Sequence, residues 1–165
     1  MTRQPSSRTC FVCGRDNQSG LGARWASDPG AGEVRAELAI PERFNGYPGV
    51  VHGGVVTALL DEAMARTALV QGGFEDLMVT ARMEVAFRQP VPTGTPVTVV
   101  GRLLRKTGSR AQAEAELRLP AGSVPAPAQA LMTRPPPPVA AGWAADRPFW
   151  RGGGRPPPPP PRPRA

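Results

Sequence analysis

Val51-His52-Gly53-Gly54-Val55-Val56-Thr57-Ala58-Leu59-Leu60-Asp61-Glu62-Ala63-Met64 is the stretch whose reading decides the fold of this chain. It joins the only histidine to a glycine pair and then to an apolar run carrying two acids. Val55, Val56, Leu59, Leu60, Ala63 and Met64 cover more than one narrow stripe, which predicts a central helix from Gly54 to about Val70. Gly72-Gly73 is expected to stop it. Glycines at a helix start leave unpaired backbone N–H groups open to close approach. An acid on so apolar a helix is costly to bury without a task. The two features together predict a site that polarises a carbonyl and activates water.

The spacing adds a constraint. Gly54 and Asp61 lie about 20° apart around a helix, but roughly 10 Å apart along its axis. A carbonyl held at the glycines is therefore out of reach of Asp61 in the same chain. Two such helices, side by side and antiparallel, would bring Asp61 of one chain to Gly53 and Gly54 of the other, which predicts a two-fold dimer. In it, backbone N–H groups at Gly53 and Gly54, aided by the positive helix end, would hold the oxyanion. Asp61 would act as general base on water, with a nucleophilic role as the alternative. Glu62 points about 100° away and is expected to pair with Arg66 as a structural contact. His52 is expected to position the loop.

Outward from this helix the pattern changes to alternation. Glu33–Ile40 reads as a half-buried strand, preceded by one near residues 22–28 that contains Trp25. Pro41–Gly49 reads as a loop. Three longer alternating runs follow: Val79–Phe87, Thr95–Lys106, and the segment after Thr107-Gly108-Ser109. A last short strand is expected near Ala128–Thr133. One long apolar helix with consecutive strands joined by short turns predicts an α+β architecture, an antiparallel sheet on one helix.

Composition divides the 165 residues in two. Residues 134–165 hold twelve of the 22 prolines, six arginines and one acid, so +5 of the net charge of +7 sits there. The expected division is a folded domain over 1–133 and a Pro/Arg-rich, disordered tail over 134–165. Trp143, Phe149 and Trp150 are the tail residues able to dock. Two cysteines are too few for a disulfide scaffold, and no apolar run approaches the roughly 20 residues of a membrane span. The N-terminus lacks a secretory apolar region, so a cytoplasmic location is expected.

At this point the residues carry a resemblance. Val51-His52-Gly53-Gly54 followed by Leu60-Asp61-Glu62-Ala63 resembles the hotdog-fold thioesterases of the PaaI-like branch. Three segments agree with it: Cys10–Leu21, Arg43–Gly49 and Phe87–Gly94. The resemblance covers about residues 9–133. It implies a curved antiparallel sheet wrapped around the helix, homodimers or dimers of dimers, and hydrolysis of acyl-CoA without metal or organic cofactor. Position by position, it implies that Asp61 is the base or nucleophile and that Gly53 and Gly54 supply oxyanion donors. Asn45 matches a polar residue that holds water or carbonyl. Thr80 falls where relatives carry a small hydroxyl residue near the acid, although simple alternation puts it on the face opposite Val79 and Ala81. The sequence departs from the family at Pro125 and Pro127, where a regular final strand would continue. Proline withdraws a ladder donor, so that strand is expected to be short or at an edge.

Arg88 and Arg110 flank loops and are favoured as contacts for the coenzyme A phosphates. Cys10-x-x-Cys13 is half a zinc knuckle without its other ligands, and it lacks the strand–helix context of a redox pair. It is expected to be a packing turn. Neither nucleic acid nor membrane is expected as a partner. The rival readings are a non-catalytic acyl-CoA-binding or scaffolding hotdog protein with a proline-rich interaction tail, and an acyl-thioester dehydratase or hydratase. The HGG-first order argues against the second rival.

Overall fold

Small side chains let a helix lie close on a sheet, and that contact organises this fold. The structure is a computed structural model that describes residues 1–151; the tract Pro156–Pro161, like all of 152–165, lies outside the described residues. The strands are β1 (Thr2–Arg3), β2 (Trp25–Asp28), β3 (Glu33–Ala39), β4 (Asn45–Tyr47), β5 (Val50–Val51), β6 (Val79–Val85), β7 (Pro96–Thr107), β8 (Arg110–Arg118) and β9 (Ala126–Thr133). The helices are α1 (Gly53–Thr67) and α2 (Pro137–Trp143). Seven strands form one antiparallel sheet in the order β1-β2-β3-β7-β8-β9-β6, and β4 pairs with β5 apart from it. Helix α1 packs on one face of the sheet. This is the hotdog fold.

Beneath α1, β8 presents Ala111, Ala113 and Ala115, and β9 presents Ala126, Ala128 and Ala130, all buried. Gly101 of β7 lies opposite Ala115, and a Cβ there would come within 2.7 Å of the Ala63 carbonyl oxygen. The helix backbone therefore touches the sheet at a place only glycine can occupy. Leu59, Leu60, Ala63 and Met64 are fully buried above that row. Their burial, at about 25 cal/mol per Å² of apolar surface, is what makes α1 the core of the domain.

Two strand expectations need correction. β9 is neither short nor at an edge: it spans eight residues and lies between β8 and β6. Pro127 is tolerated because its missing donor falls where β6 ends. Val85 is the last β6 residue, opposite Ala128, and one step further the Ala86 N–H still donates to the Pro127 carbonyl at 3.0 Å. Only the return bond is lost. The edge on this side of the sheet is β6, whose residues are half-buried or exposed.

The loop expected over Pro41–Gly49 contains a 3-10 turn (Glu42–Phe44) and β4. Helix α1 ends at Thr67, before the predicted Gly72-Gly73 stop. Beyond the predicted boundary at Thr133, packing continues. Proline occupies the first turn of α2, where its absent N–H costs nothing, and a 3-10 turn (Ala144–Phe149) follows. Trp150 meets Phe74 edge to face at 5.9 Å, and Arg151 bridges to Ser6. None of the helices among the described residues is long and apolar enough to cross a membrane.

Candidate active site

The predicted residues gather at two places along α1, its N-terminus and its middle. At its N-terminus His52 is the cap: its Nδ1 accepts the Gly54 N–H at 2.9 Å, and its carbonyl accepts from Val55 and Val56. Gly54 is thus a donor already in use. The N–H of Gly53 makes no hydrogen bond among the described residues. Of the predicted pair, Gly53 holds the available donor, at the positive end of a fifteen-residue helix.

A groove of 580 Å³ opens beside it, lined by Gly46, Tyr47, His52, Gly53, Phe87 and Arg88 among others. The Phe87 ring lies 3.5 Å from where a Gly53 Cβ would sit. Asn45 stands next to the groove in the short β4–β5 ribbon, opposite Val51. Its Nδ2 donates to Glu42 Oε1 at 2.9 Å, while Gly49 N–H donates to the same oxygen at 3.0 Å and the Thr93 hydroxyl donates to Oε2. Those donors, the Thr93 hydroxyl first, hold the Glu42 carboxyl below its usual range. The loop carrying Asn45 is therefore fastened through Glu42.

Asp61 lies eight residues along α1 from Gly53, a rise of about 12 Å. It is half-buried, and Thr80 Oγ1 on β6 donates to its Oδ1 at 2.5 Å. Strict alternation would have turned Thr80 away. The ladder instead pairs Thr80 with Met132 and Arg82 with Leu131, so Ala81 is an extra residue, a β-bulge. Met132 faces the core, and its partner Thr80 faces the helix with it. The bulge re-aims one hydroxyl at the acid. Glu62 forms the expected i,i+4 ion pair with Arg66, 2.8 Å long.

The two predicted arginines do not share one site in one protomer. Arg88 lines the groove by Gly53. Arg110 begins β8, opposite Thr133, which in turn is opposite Val79. The eight residues of β9 between those ends span roughly 26 Å. Arg110 thus lies at the Thr80 end of β6 and Arg88 beyond its Val85 end.

Phe87 and the Glu42–Thr93 contact were not singled out by sequence reasoning. Phe87 looked like the last core residue of a strand; it is 57% exposed and walls the groove. Glu42 and Thr93 are 51 residues apart, and no periodicity could have paired them.

With this geometry in view, similarity to known proteins becomes informative. Residues 48–126 match the model of the thioesterase superfamily. A candidate esterase of Saccharolobus solfataricus is 30% identical over 87 residues, 53% of this chain and 61% of that protein. The chain thus spans about three fifths of the curated relative's length. Among solved structures, a thioesterase superfamily protein superimposes with a TM-score of 0.70 at 25% identity, covering 76% of this chain and 63% of that one. The Escherichia coli PaaI protein from the phenylacetic acid degradation operon gives 0.57 at 19% identity, covering 64% and 74%. A Streptococcus mutans protein bound to acetyl CoA gives 0.57 at 18%, covering 62% and 80%. The chain has the hotdog fold, and its central stretch, from the loop before His52 into β9, carries the sequence pattern of the thioesterase superfamily.

Proposed function

We propose that this chain is an acyl-CoA thioesterase of the PaaI-like kind, working as a two-fold homodimer or a dimer of dimers. The observation that carries the reading is the separation of two half-sites along α1: a free Gly53 N–H at one end, and about 12 Å away Asp61 with the Thr80 hydroxyl beside an exposed sheet edge. Antiparallel pairing of two β6 edges would join the half-sites. It would set the Thr80 end of one strand against the Phe87–Arg88 end of the other, completing the sheet and covering an unpaired edge. Arg88 of one protomer and Arg110 of its partner would then flank a single site, as two contacts for coenzyme A phosphates.

In the reaction, Asp61 takes a proton from water as its oxygen attacks the thioester carbonyl carbon. The carbonyl oxygen gathers negative charge against the Gly53 N–H and the helix terminus. His52 keeps that terminus in place through its bond to Gly54. The tetrahedral species collapses, the C–S bond breaks, and the coenzyme A thiolate takes the proton held by Asp61. Free acid and thiol leave. The similarity to an esterase and to an acetyl-CoA-bound neighbour supports this substrate class.

The test is thiol release over a panel of short, long and aromatic acyl-CoAs, with Asp61→Asn beside the unmodified chain. Turnover on at least one member, lowered by orders of magnitude in the folded Asp61→Asn protein, is expected. Acyl-CoA binding with no thiol release would replace the reading with a non-catalytic binding role.

A further inference from the structure

The CxxC turn holds more chemistry than a packing turn needs. The Cys10 and Cys13 sulfurs and the Glu62 carboxylate lie within 4.8 Å of one another, and both cysteines are free. The chain turns tightly from Cys10, with the Gly14 N–H donating to the Cys10 carbonyl at 2.8 Å. A Gly14 Cβ would come within 2.3 Å of that oxygen, so the turn closes only with glycine there. Turns of this kind bring the Cα atoms of residues i and i+3 within about 7 Å, the reach of a disulfide. The two sulfurs are unlike. Cys13 is 1% exposed, whereas Cys10 is half-buried. Cys10 Sγ accepts the Val12 N–H at 3.3 Å and the Cys13 N–H at 3.5 Å. The neighbouring Cys13 thiol, with those N–H groups, lowers Cys10 to about 7 against the opposing effects of burial and of Glu62, whose Oε2 accepts from the Cys10 thiol at 3.7 Å. The Cys10 sulfur beside it, with burial, pushes Cys13 upward.

A metal ion is disfavoured by what already occupies the cluster. Arg66, 2% exposed, donates to Glu62 at 2.8 Å and to Cys13 Sγ at 3.0 Å, and its remaining nitrogen reaches Gln4 and the Pro5 carbonyl. A dication would have to sit against a buried guanidinium. We propose that Cys10-x-x-Cys13 is a thiol–disulfide exchange site for low-molecular-weight disulfides, with Cys10 the attacking thiolate and Cys13 the resolving thiol. Cys10 attacks one sulfur of the external disulfide, forming a mixed disulfide and expelling one thiolate, which takes a proton from solvent. Cys13 then attacks Cys10 Sγ, its proton passing to the second thiolate as it leaves. Two electrons move from the pair to the external disulfide, and an intramolecular bond closes. Arg66 then faces disulfide sulfur, a weaker acceptor, and its partner Glu62 adjoins Asp61. The redox state of the turn therefore reaches the helix that carries the acid. This inference does not depend on thioester hydrolysis.

The experiment incubates the reduced full chain with glutathione disulfide and follows it by alkylation and mass spectrometry. Loss of two hydrogens within the peptide carrying both cysteines is expected. In the reduced protein at pH 7, Cys10 should alkylate more than about tenfold faster than Cys13. Cys13→Ser should accumulate the glutathione adduct on Cys10, and Cys10→Ser should form none. The proposal is overturned if the unmodified chain stops at a mixed disulfide, if the adduct forms on Cys13, or if the two cysteines alkylate alike. Stoichiometric zinc that blocks alkylation would likewise overturn it in favour of a metal site.

Discussion

Thr80→Val removes the hydroxyl that reaches Asp61 and leaves a side chain of nearly the same shape. The bulge at Ala81 turns residue 80 toward α1, so valine would meet the carboxylate with a methyl group in place of a donor. A hydrogen bond to a charged group contributes about 1.5–3 kcal/mol where water is excluded. Thr80 is exposed in the single chain, so the lower end applies, about 1.5 kcal/mol, or a little over tenfold in rate. The loss should fall on kcat, because the bond orients the base and does not hold the acyl-CoA. Thr80→Ser, which keeps the donor, should stay within about threefold of the unmodified chain. The assay is continuous thiol release at saturating and limiting acyl-CoA, with thermal melts to show that β6 still pairs. A Thr80→Val protein with unchanged kcat, or with a raised KM alone, would refute the idea that this hydroxyl orients Asp61.

Two further outcomes separate functional from structural glycines. Gly53→Ala adds a methyl at ordinary contact distance from Phe87, so stability should change by less than about 1 kcal/mol while thiol release drops at least tenfold because the methyl crowds the free N–H. Gly101→Ala does the opposite: its Cβ meets the Ala63 carbonyl at 2.7 Å, and α1 must lift off the sheet. Melting should show a loss of about 1–3 kcal/mol, a shift of several degrees, with KM little altered.

The helix and its glycine–acid spacing were legible because a 3.6-residue period and a helical rise are local quantities. Leu59, Leu60, Ala63 and Met64 could be placed in the core from their spacing alone, and the same arithmetic put Gly53 and Asp61 out of mutual reach. Thr80 could not be oriented, because a one-residue bulge reverses alternation and leaves no mark in composition. Pro127 misled for a related reason: whether a missing N–H matters depends on where the neighbouring strand stops, and that is set by pairing. The capping bond that the Gly54 N–H donates to His52 divides two glycines that look equivalent in sequence. The docking of Trp150 against Phe74, and the fastening of the Asn45 loop through Glu42 and Thr93, join residues far apart in the chain. Only the fold brings such partners together.

The central claim is that each site takes Asp61 from one chain and Gly53 from the other, and mixed dimers test it directly. Asp61→Asn and Gly53→Val chains, each nearly inactive alone, would be unfolded together, refolded as a mixture and assayed for thiol release. Statistical pairing makes about half the dimers mixed, and each of these would hold one site with both groups intact, restoring about a quarter of the unmodified turnover. A mixture as inactive as its two parents, with mixed dimers present by native mass spectrometry, would contradict the shared site.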